Sequence, residues 1–358
     1  MVEEKQRSRI PMTDLKIVTN LAWPSFRNVA LDVSKALRPY CNSHVLDWKE
    51  VKPGGNVLFI ETVRQDNLKF LEKLLPGSNI VFYGTTEGHS ILDRESVEVA
   101  RNVNVVAVSN FVRQMLEEVD VPVAGVVHHG LDMDANEVDL SFLHSVKEKV
   151  REKLVALTIA SNDPRKGLKE LLQAYKFVES DVPNSFLVLH SEPKRDYNYE
   201  EQRYHERWYD LPKLVSKLRI ERIWLTNSYR LMSSGEVNAL YKLCQVYVFP
   251  SFSEAFGLPM LEAFRFNKPV VAVDAPPFNE IIEEGYTGKL IPYKKTRWFN
   301  YKNMVLFKMH VYEPRDLAEA MASLLSNNSL REYMETQIRE GKHRWSIYKL
   351  YPKILDYF

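Results

Sequence analysis

The sequence predicts an α/β protein that contains two doubly wound domains. Short, apolar, β-branched runs alternate with amphipathic helical stretches along most of the chain, which is the pattern of parallel sheets covered by helices. The length of 358 residues is sufficient for two domains of ordinary size. A βαβ unit from Val246 to Val273 holds the most distinctive group of side chains in the sequence.

Prolines mark the elements of this βαβ unit. Residues 246–249 are fully apolar and are followed by Pro250, which predicts a buried parallel strand. Pro259 stands where a proline fits the first turn of a helix, and the helix is predicted over 260–266. A second buried strand is predicted at 270–273.

Two carboxylates, Glu254 and Glu262, mark the active end of the unit, with seven residues between them. A helix N-terminus offers unpaired N–H groups and a partial positive charge, so Gly257, Leu258 and Pro259 are predicted to bind an anion such as a diphosphate. Glu262 lies about one turn deeper, where a carboxylate can accept hydrogen bonds from the hydroxyls of a ribose. The alternative is that both glutamates cap the helix and that the Gly-Leu-Pro segment is only a turn.

The stretch Pro-Ser-x-x-Glu-Ala-Phe-Gly-Leu-Pro-x-Leu-Glu-Ala, from Pro250 to Ala263, resembles the E-x7-E signature of glycosyltransferase family 4. These are retaining enzymes of the GT-B fold, so the resemblance implies an α/β protein with two Rossmann-like doubly wound domains facing a central cleft. It also implies that Glu254 contacts the transferred sugar and that Glu262 holds the nucleotide ribose. The amides of Phe256, Gly257, Leu258 and Pro259 would then hold the diphosphate.

The resemblance implies a division of the chain into an acceptor domain and a donor domain. Residues 1–150 would form the N-terminal Rossmann-like acceptor domain, completed by a C-terminal helix at 345–358. Residues 151–344 would form the domain that binds the nucleotide sugar, with the nucleobase near 226–231. Family members often carry a Gly-Gly pair in the first βα loop, whereas this loop reads Trp-Pro-Ser-Phe over 23–26.

A short basic segment follows the first predicted strand of the second domain. The strand at 154–159 leads into Ala-Ser-Asn-Asp-Pro-Arg-Lys-Gly. The matching family segment has Gly-Arg and then Lys-Gly, and its arginine and lysine neutralise the diphosphate leaving group. Lys166 matches the lysine; the family arginine would fall near Ala160, and Arg165 is the nearest substitute. The alternative is that Lys166 is a solvated lysine in the first turn of a helix.

The loop Gly84-Thr-Thr-Glu-Gly-His89 follows a predicted strand of the first domain. Loops at the carboxyl ends of strands bind ligands in doubly wound domains, and hydroxyl, carboxylate and imidazole groups suit a sugar. Relatives often place a histidine directly after this strand, so the resemblance makes His89 a catalytic candidate. Glu87 or His89 is expected to line the cleft, against the alternative of a Gly-rich turn. His129, beside a Gly-x-Asp landmark, is either a residue of the site or a loop histidine without a chemical role.

The segment 293–310 departs from the family pattern. It suits an anionic lipid surface, a phosphorylated acceptor or a partner protein, and the alternative is a solvated loop held by its aromatics. It contains no acidic residue and five basic ones, interleaved with aromatic side chains: Lys294, Lys295, Arg297, Lys302 and Lys308.

Composition limits the classes of function. A formal charge of +1, from 48 basic and 47 acidic residues, gives no reason to expect nucleic acid as a partner. Residues 1–14 are polar and no apolar run approaches ~18 residues, so a cytoplasmic protein is expected, with peripheral contact at the inner face of the membrane through 293–310 as one interpretation. The two cysteines, Cys41 and Cys244, lie far apart, which fits a reducing compartment.

The resemblance therefore implies a retaining glycosyltransferase. The enzyme would move a hexose from a nucleotide-diphosphate sugar to a hydroxyl of a glycan, a lipid-linked or a protein-linked acceptor, with no metal and no further cofactor. Two alternatives remain: a nucleic-acid glycosyltransferase, and a sugar-nucleotide-binding protein that has lost catalysis.

Overall fold

The computed structural model describes residues 14–191, 209–226 and 232–358, which form two compact units. Within these ranges the first unit comprises residues 14–86, 90–132 and 346–358. The second unit comprises residues 87–89 together with the described part of 133–345. The expected nucleobase location at 226–231 lies almost wholly outside the described residues.

Strands and helices alternate along each unit. The described strands are β1 (Asp14–Thr19), β2 (Asn42–Asp47), β3 (Gly55–Thr62), β4 (Ser78–Thr85), β5 (Gly88–Ser90), β6 (Asn104–Ala107), β7 (Gly125–Val126), β8 (Leu154–Ile159), β9 (Ser185–His190), β10 (Ile223–Leu225), β11 (Val246–Val248), β12 (Val270–Val273), β13 (Gly288–Ile291), β14 (Tyr293–Tyr301) and β15 (Val305–Tyr312). The described α-helices are α1 (Pro24–Leu37), α2 (Gln65–Glu72), α3 (Arg94–Arg101), α4 (Asn110–Glu117), α5 (Leu140–Val150), α6 (Leu168–Asp181), α7 (Leu211–Leu218), α8 (Ser234–Leu243), α9 (Leu258–Arg265), α10 (Phe278–Ile281), α11 (Pro314–Ser326), α12 (Asn328–Gly341) and α13 (Ile347–Leu350).

The first unit contains a six-stranded parallel sheet in the order β2-β1-β3-β4-β6-β7. Its central strands are buried because they are apolar on both faces, as the adjacent residues Leu58 and Phe59 of β3 illustrate. Since β2 and β3 lie on opposite sides of β1, the topological switch point falls between β1 and β3.

The last residues of the chain belong to this first unit. Tyr351 is fully buried and its hydroxyl donates a hydrogen bond to the Gly130 carbonyl at 3.2 Å. The Asn104 amide donates to the Tyr357 carbonyl at 2.7 Å. The predicted continuous helix at 345–358 is instead the short helix α13 followed by a 3-10 segment, Tyr351–Tyr357, because Pro352 has no N–H to continue an α-helical ladder.

The second unit contains a six-stranded parallel sheet in the order β10-β9-β8-β11-β12-β13. This is the classic doubly wound order, with the switch point between β8 and β11. The predicted strands over 154–159 and 270–273 coincide with β8 and β12. The predicted α/β class and its doubly wound domains are confirmed.

Helix α5 lies in the second unit, although the sequence analysis assigned residues 133–150 to the first domain. It packs against α8, and two backbone-directed hydrogen bonds join the two segments. The Asp139 N–H donates to the Gly235 carbonyl at 3.1 Å, and the Asn238 amide donates to the Glu137 carbonyl at 2.8 Å.

A three-stranded sheet, β14-β15-β5, completes the second unit. The basic segment 293–310 is therefore part of an antiparallel hairpin, not a loop. Its strand β15 receives residues 87–89: the Lys308 N–H donates to the Glu87 carbonyl at 3.1 Å. A Cβ on Gly88 would lie 1.9 Å from the Leu306 carbonyl oxygen, so only glycine permits this close approach.

Candidate active site

Two loops meet at the switch point of the second unit. Strand β8 leads into the 3-10 turn Pro164–Lys166, and β11 leads into the loop at 249–257. The Asp163 carboxylate caps the turn by accepting from the Arg165 N–H at 2.9 Å. Gly167 has φ +64°, and a Cβ there would lie 2.1 Å from the Pro250 carbonyl oxygen. Glycine therefore lets the two loops touch, at the edge of the sheet where doubly wound domains bind ligands.

The contact between these loops is a cluster of charged side chains. Lys166 Nζ lies 2.6 Å from Glu254 Oε1, and Arg165 Nη1 lies 3.0 Å from Glu254 Oε2. Arg165 Nη1 also donates to the Ser253 carbonyl at 3.0 Å, and Arg165 Nη2 lies 3.4 Å from Glu87 Oε1. The structure thus brings three of the predicted site residues together and places Glu87, which the sequence also singles out, beside Arg165.

Burial and mutual attraction determine the charge states in this cluster. Burial raises the pKa of Glu254, but Lys166 and Arg165 outweigh it and hold that pKa at about 2. Burial lowers the pKa of Arg165, but Glu254 and Glu87 outweigh it and raise that pKa. Burial and the Arg165 charge lower the pKa of Lys166, and Glu254 opposes them. The result is two cations that are shared by two carboxylates, Glu254 and Glu87, in charge-assisted pairs.

Helix α9 begins beside this cluster. Gly257 precedes it with φ +114°, and a Cβ there would lie 2.4 Å from the Met260 side chain. Pro259 lies in the first turn, and no side chain caps the helix N-terminus. Phe256 is buried and its ring packs edge-on against Trp345 at 6.0 Å. The assignment of 256–259 to a diphosphate stays a prediction.

Glu262 lies in α9 and is held by a residue that the sequence analysis missed. The Tyr241 hydroxyl donates to Glu262 Oε2 at 2.7 Å. Tyr241 is fully buried in α8, where its ring stacks on Phe266 at 6.2 Å. Burial raises the pKa of Glu262, and the Tyr241 hydrogen bond opposes that rise. No sequence signal pairs α8 with α9, because their contact depends on the order of the strands.

The two histidine candidates belong to different units, His89 to the second and His129 to the first. The His89 ring lies on Trp298, with ring centroids 4.4 Å apart, in the three-stranded sheet. His129 is buried in the first unit, where its Nδ1 lies 3.1 Å from the Tyr83 hydroxyl. Burial lowers the pKa of His129 to about 3, so it is neutral at physiological pH. The catalytic role of His89 stays a prediction.

In residues 14–191, 209–226 and 232–358, no group of three His, Cys, Asp or Glu side chains is arranged to hold a metal ion. None of the helices in the described part of the chain has both the length and the apolar composition needed to span a bilayer.

Residues 228–341 match the family model described as glycosyl transferases group 1. The chain carries a glycosyltransferase domain. The match covers α8, β11, α9 and β12 and so includes Glu254 and Glu262. It confirms the predicted enzyme class, while membership of family 4 stays a prediction.

Relatives named as glycosyltransferases align with much of the chain. An uncharacterised glycosyltransferase of Sulfolobus islandicus rod-shaped virus 1 is 21% identical over 280 residues, which are 77% of this chain and 79% of that protein. An uncharacterised glycosyltransferase of Methanocaldococcus jannaschii is 23% identical over 261 residues, 70% of this chain and 60% of that protein. Sequence similarity therefore extends well beyond the glycosyltransferase domain.

A solved structure matches the fold across nearly the whole chain. Anabaena HepE, solved in complex with UDP and glucose, superposes with a TM-score of 0.70 at 15% identity, covering 96% of this chain and 98% of HepE. A likeness at this identity defines the fold alone, and the predicted GT-B fold is confirmed.

Proposed function

We propose that this chain is a retaining glycosyltransferase that moves a hexose from a nucleotide-diphosphate sugar to a hydroxyl acceptor. The observation that carries the proposal is the convergence of Arg165 and Lys166 on Glu254 at the switch point of the second unit. A diphosphate leaving group needs cations that are already in place when its charge develops. Arg165 supplies the guanidinium that the family sequence has near position 160.

The proposed reaction is a displacement on one face of the sugar. The bond between the anomeric carbon and the diphosphate oxygen breaks, and its electron pair stays on the diphosphate. The acceptor oxygen forms a bond to the anomeric carbon on the same face, and its proton passes to the departing diphosphate. Lys166, Arg165 and the N-terminus of α9 stabilise the negative charge, and Glu254 contacts the sugar.

The ribose and the diphosphate of the donor are proposed to bind residues at the start of α9 and one turn inside it. Glu262, oriented by Tyr241, accepts hydrogen bonds from the ribose hydroxyls. The amides of residues 256–259 bind the diphosphate at the uncapped start of α9. In this proposal no metal takes part. UDP is the first nucleotide to test, because HepE was solved with UDP.

For the acceptor and for the location of the protein in the cell, only a class is proposed. A glycan or a lipid-linked sugar would bind the first unit, and the basic hairpin would contact an anionic membrane from the cytoplasmic side. The near-neutral charge of the chain gives no support to a nucleic-acid acceptor.

A panel of UDP, GDP and ADP sugars tests the proposal. We expect release of the nucleoside diphosphate from at least one sugar, and proton NMR of the product should show the anomeric configuration of the donor. Binding of UDP without release from any sugar would contradict catalysis and favour the sugar-nucleotide-binding alternative. A product of the opposite configuration would contradict retention.

A further inference from the structure

Trp23 is an exposed aromatic residue at the start of α1. Its side chain is 60% exposed, whereas large apolar side chains are usually covered in a folded domain. It occupies the N-cap position of α1, directly after the loop that leaves β1. The loop lies at the switch point of the first unit, between β1 and β3, where doubly wound sheets bind ligands.

Acidic side chains from two neighbouring strands hold the backbone of this loop. Glu61, near the end of β3, accepts from the Asn20 N–H at 2.9 Å. Asp47, the last residue of β2, accepts from the Leu21 N–H at 3.1 Å. Glu61 is buried, and burial raises its pKa while the Asn20 N–H opposes that rise. A buried carboxylate is costly, and here it fixes the position of a loop.

The other backbone N–H groups of the loop donate to acceptors within the loop itself. The Ala22 N–H donates to the Asn20 side-chain oxygen, and the Trp23 N–H donates to the Asn20 carbonyl, both at 3.1 Å. The Trp23 carbonyl in turn accepts from the Arg27 N–H at 3.0 Å and starts the helix. Every backbone N–H from 20 to 23 therefore has an acceptor. The indole is exposed on a backbone that is fixed before any ligand binds.

The surroundings of Trp23 indicate the charge of the ligand. Residues 22–25, Ala-Trp-Pro-Ser, are exposed and carry no charge. Charges of both signs surround the loop: the carboxylates of Glu61 and Asp47 bind its backbone, Arg27 follows it in α1, and Arg64 acts on Glu61. Neither an anion nor a cation is therefore favoured by this position. A neutral ligand with one flat apolar face and polar edges suits this position. A pyranose ring has that form, with C–H bonds on one face and hydroxyls at its rim.

We propose that the Trp23 indole is the platform on which a neutral hexopyranoside stacks, as the acceptor of the transfer reaction. The acceptor role rests on the proposed function, whereas binding of the hexopyranoside does not. The contact would be a flat stack like that of an aromatic pair, and the fixed loop lowers the entropy lost on binding.

Saturation-transfer NMR on the full chain tests this with methyl glycosides of glucose, mannose, galactose and N-acetylglucosamine. We expect transfer to the C–H protons of one pyranose face for at least one glycoside. Trp23→Ala should weaken its binding about tenfold, and Trp23→Phe, which keeps an aromatic face, should weaken it less. Leu31→Ala is the matched control, because Leu31 is a 52% exposed apolar residue of the same helix, and it should bind as the wild type does.

The proposal is overturned if no glycoside of the panel binds, or if folded Trp23→Ala binds the glycoside as tightly as the wild type. It is also overturned if Trp23 binds anionic vesicles and no glycoside, which would make it a membrane anchor. Wild-type release of nucleoside diphosphate, measured in parallel, tests the proposed function separately. If a glycoside binds at Trp23 but no nucleoside diphosphate is released, the Trp23 proposal holds and the proposed function is overturned. If nucleoside diphosphate is released but no glycoside binds, the proposed function holds and the Trp23 proposal is overturned.

Discussion

At the scale of single residues, Glu254 is central because both of its carboxylate oxygens are occupied. Lys166 lies at one oxygen and Arg165 at the other, so in the proposed complex a diphosphate would share cations that already have a partner. Glu87 compensates part of the positive charge through Arg165. The cluster is therefore balanced without substrate, and in the proposed reaction the diphosphate would gain most from it when its charge increases in the transition state.

Replacing Lys166 with alanine is expected to act mainly on turnover. We expect kcat to fall at least about a hundredfold, the scale of losing one electrostatic contact to the leaving group. Arg165→Ala should show a similar loss and also free one oxygen of Glu254. Lys147→Ala, an exposed lysine on α5, is the control. Steady-state rates with the best donor of the panel measure the effect, and unchanged rates in both variants would place the diphosphate elsewhere.

Removing the Glu262 carboxylate is expected to weaken donor binding. Glu262→Ala should raise the Kd for UDP about ten- to a hundredfold, because a charged hydrogen bond to ribose contributes about 1.5 to 3 kcal/mol. Tyr241→Phe keeps the ring and removes only the hydroxyl that donates to Glu262, so a smaller rise is expected. Titration calorimetry measures both values. Equal affinity in wild type and Glu262→Ala would remove the ribose role.

The Glu254 ion pairs also make the stability of the chain depend on pH. The folded pKa of Glu254, about 2, is below its ordinary value of 4.5, so its stabilising contribution is present above pH 4.5 and is lost as the pH falls toward 2. The difference in unfolding free energy between wild type and Glu254→Gln should therefore shrink in that window, by at most about 1.4 kcal/mol per pH unit. Urea unfolding at several pH values measures it. A difference independent of pH would show that the pairs do not stabilise the folded state.

Sequence patterns identified part of this site and missed part of it. Glu254, Lys166 and Arg165 each belong to a local motif, and β8 and β11 place them together as neighbouring strands. Glu87 was a candidate, but its pairing with Arg165 and the contact of Tyr241 with Glu262 could not be predicted, because these partners are distant in sequence. Glu87 reaches Arg165 only because residues 87–89 pair with a strand more than ~200 positions further along the chain.

At the scale of elements, apolar runs predicted the parallel strands closely, because a strand covered on both faces must be apolar throughout. The hairpin was missed for the opposite reason. Strand β14 is an exposed edge strand that mixes basic, polar and aromatic side chains, so burial imposes no alternating pattern on it. Lysines also protect an exposed edge against pairing with other chains, which is an alternative role for the basic residues.

The hairpin variant tests the membrane proposal. Changing Lys295 and Arg297 to serine and Lys302 to asparagine removes three cations, and asparagine tolerates the φ of +53° at position 302. At about 1 kcal/mol per charge, sedimentation with anionic vesicles should fall about a hundredfold. Lys294 is left in place because it pairs with Asp316 at 3.2 Å.

A matched variant controls for total charge in this experiment. Serine at Lys147, Lys213 and Lys217 removes three exposed cations from α5 and α7, and it should leave sedimentation unchanged. Wild-type binding should weaken as salt rises, because the attraction is screened within a Debye length. If the wild type does not sediment with anionic vesicles even at low salt, the basic edge is better explained as protection against strand pairing.

At the scale of the whole molecule, neither unit is formed by one continuous stretch of the chain. Residues 87–89 leave the first unit to join the second, and residues 346–358 return to the first after the second is complete. The first unit therefore lacks part of its core until the final residues have been added. Local sequence patterns do not contain this information, because an apolar stretch has the same pattern in either unit.

The C-terminal segment 346–358 should stabilise the first unit, and its loss should leave the proposed nucleotide site of the second unit intact. Tyr351 is fully buried, so Tyr351→Ala is expected to lower the unfolding free energy of the first unit by about 3 to 5 kcal/mol through the cavity and the lost hydrogen bond to Gly130. Tyr348→Ala, from a 47% exposed position in α13, should change it little. Urea titration followed by fluorescence measures stability, and calorimetry with UDP measures the second unit. For Tyr351→Ala we expect the first unit to unfold at a lower urea concentration while the affinity for UDP is retained. If the first unit and UDP binding are lost in one transition, the two units unfold as a single cooperative body.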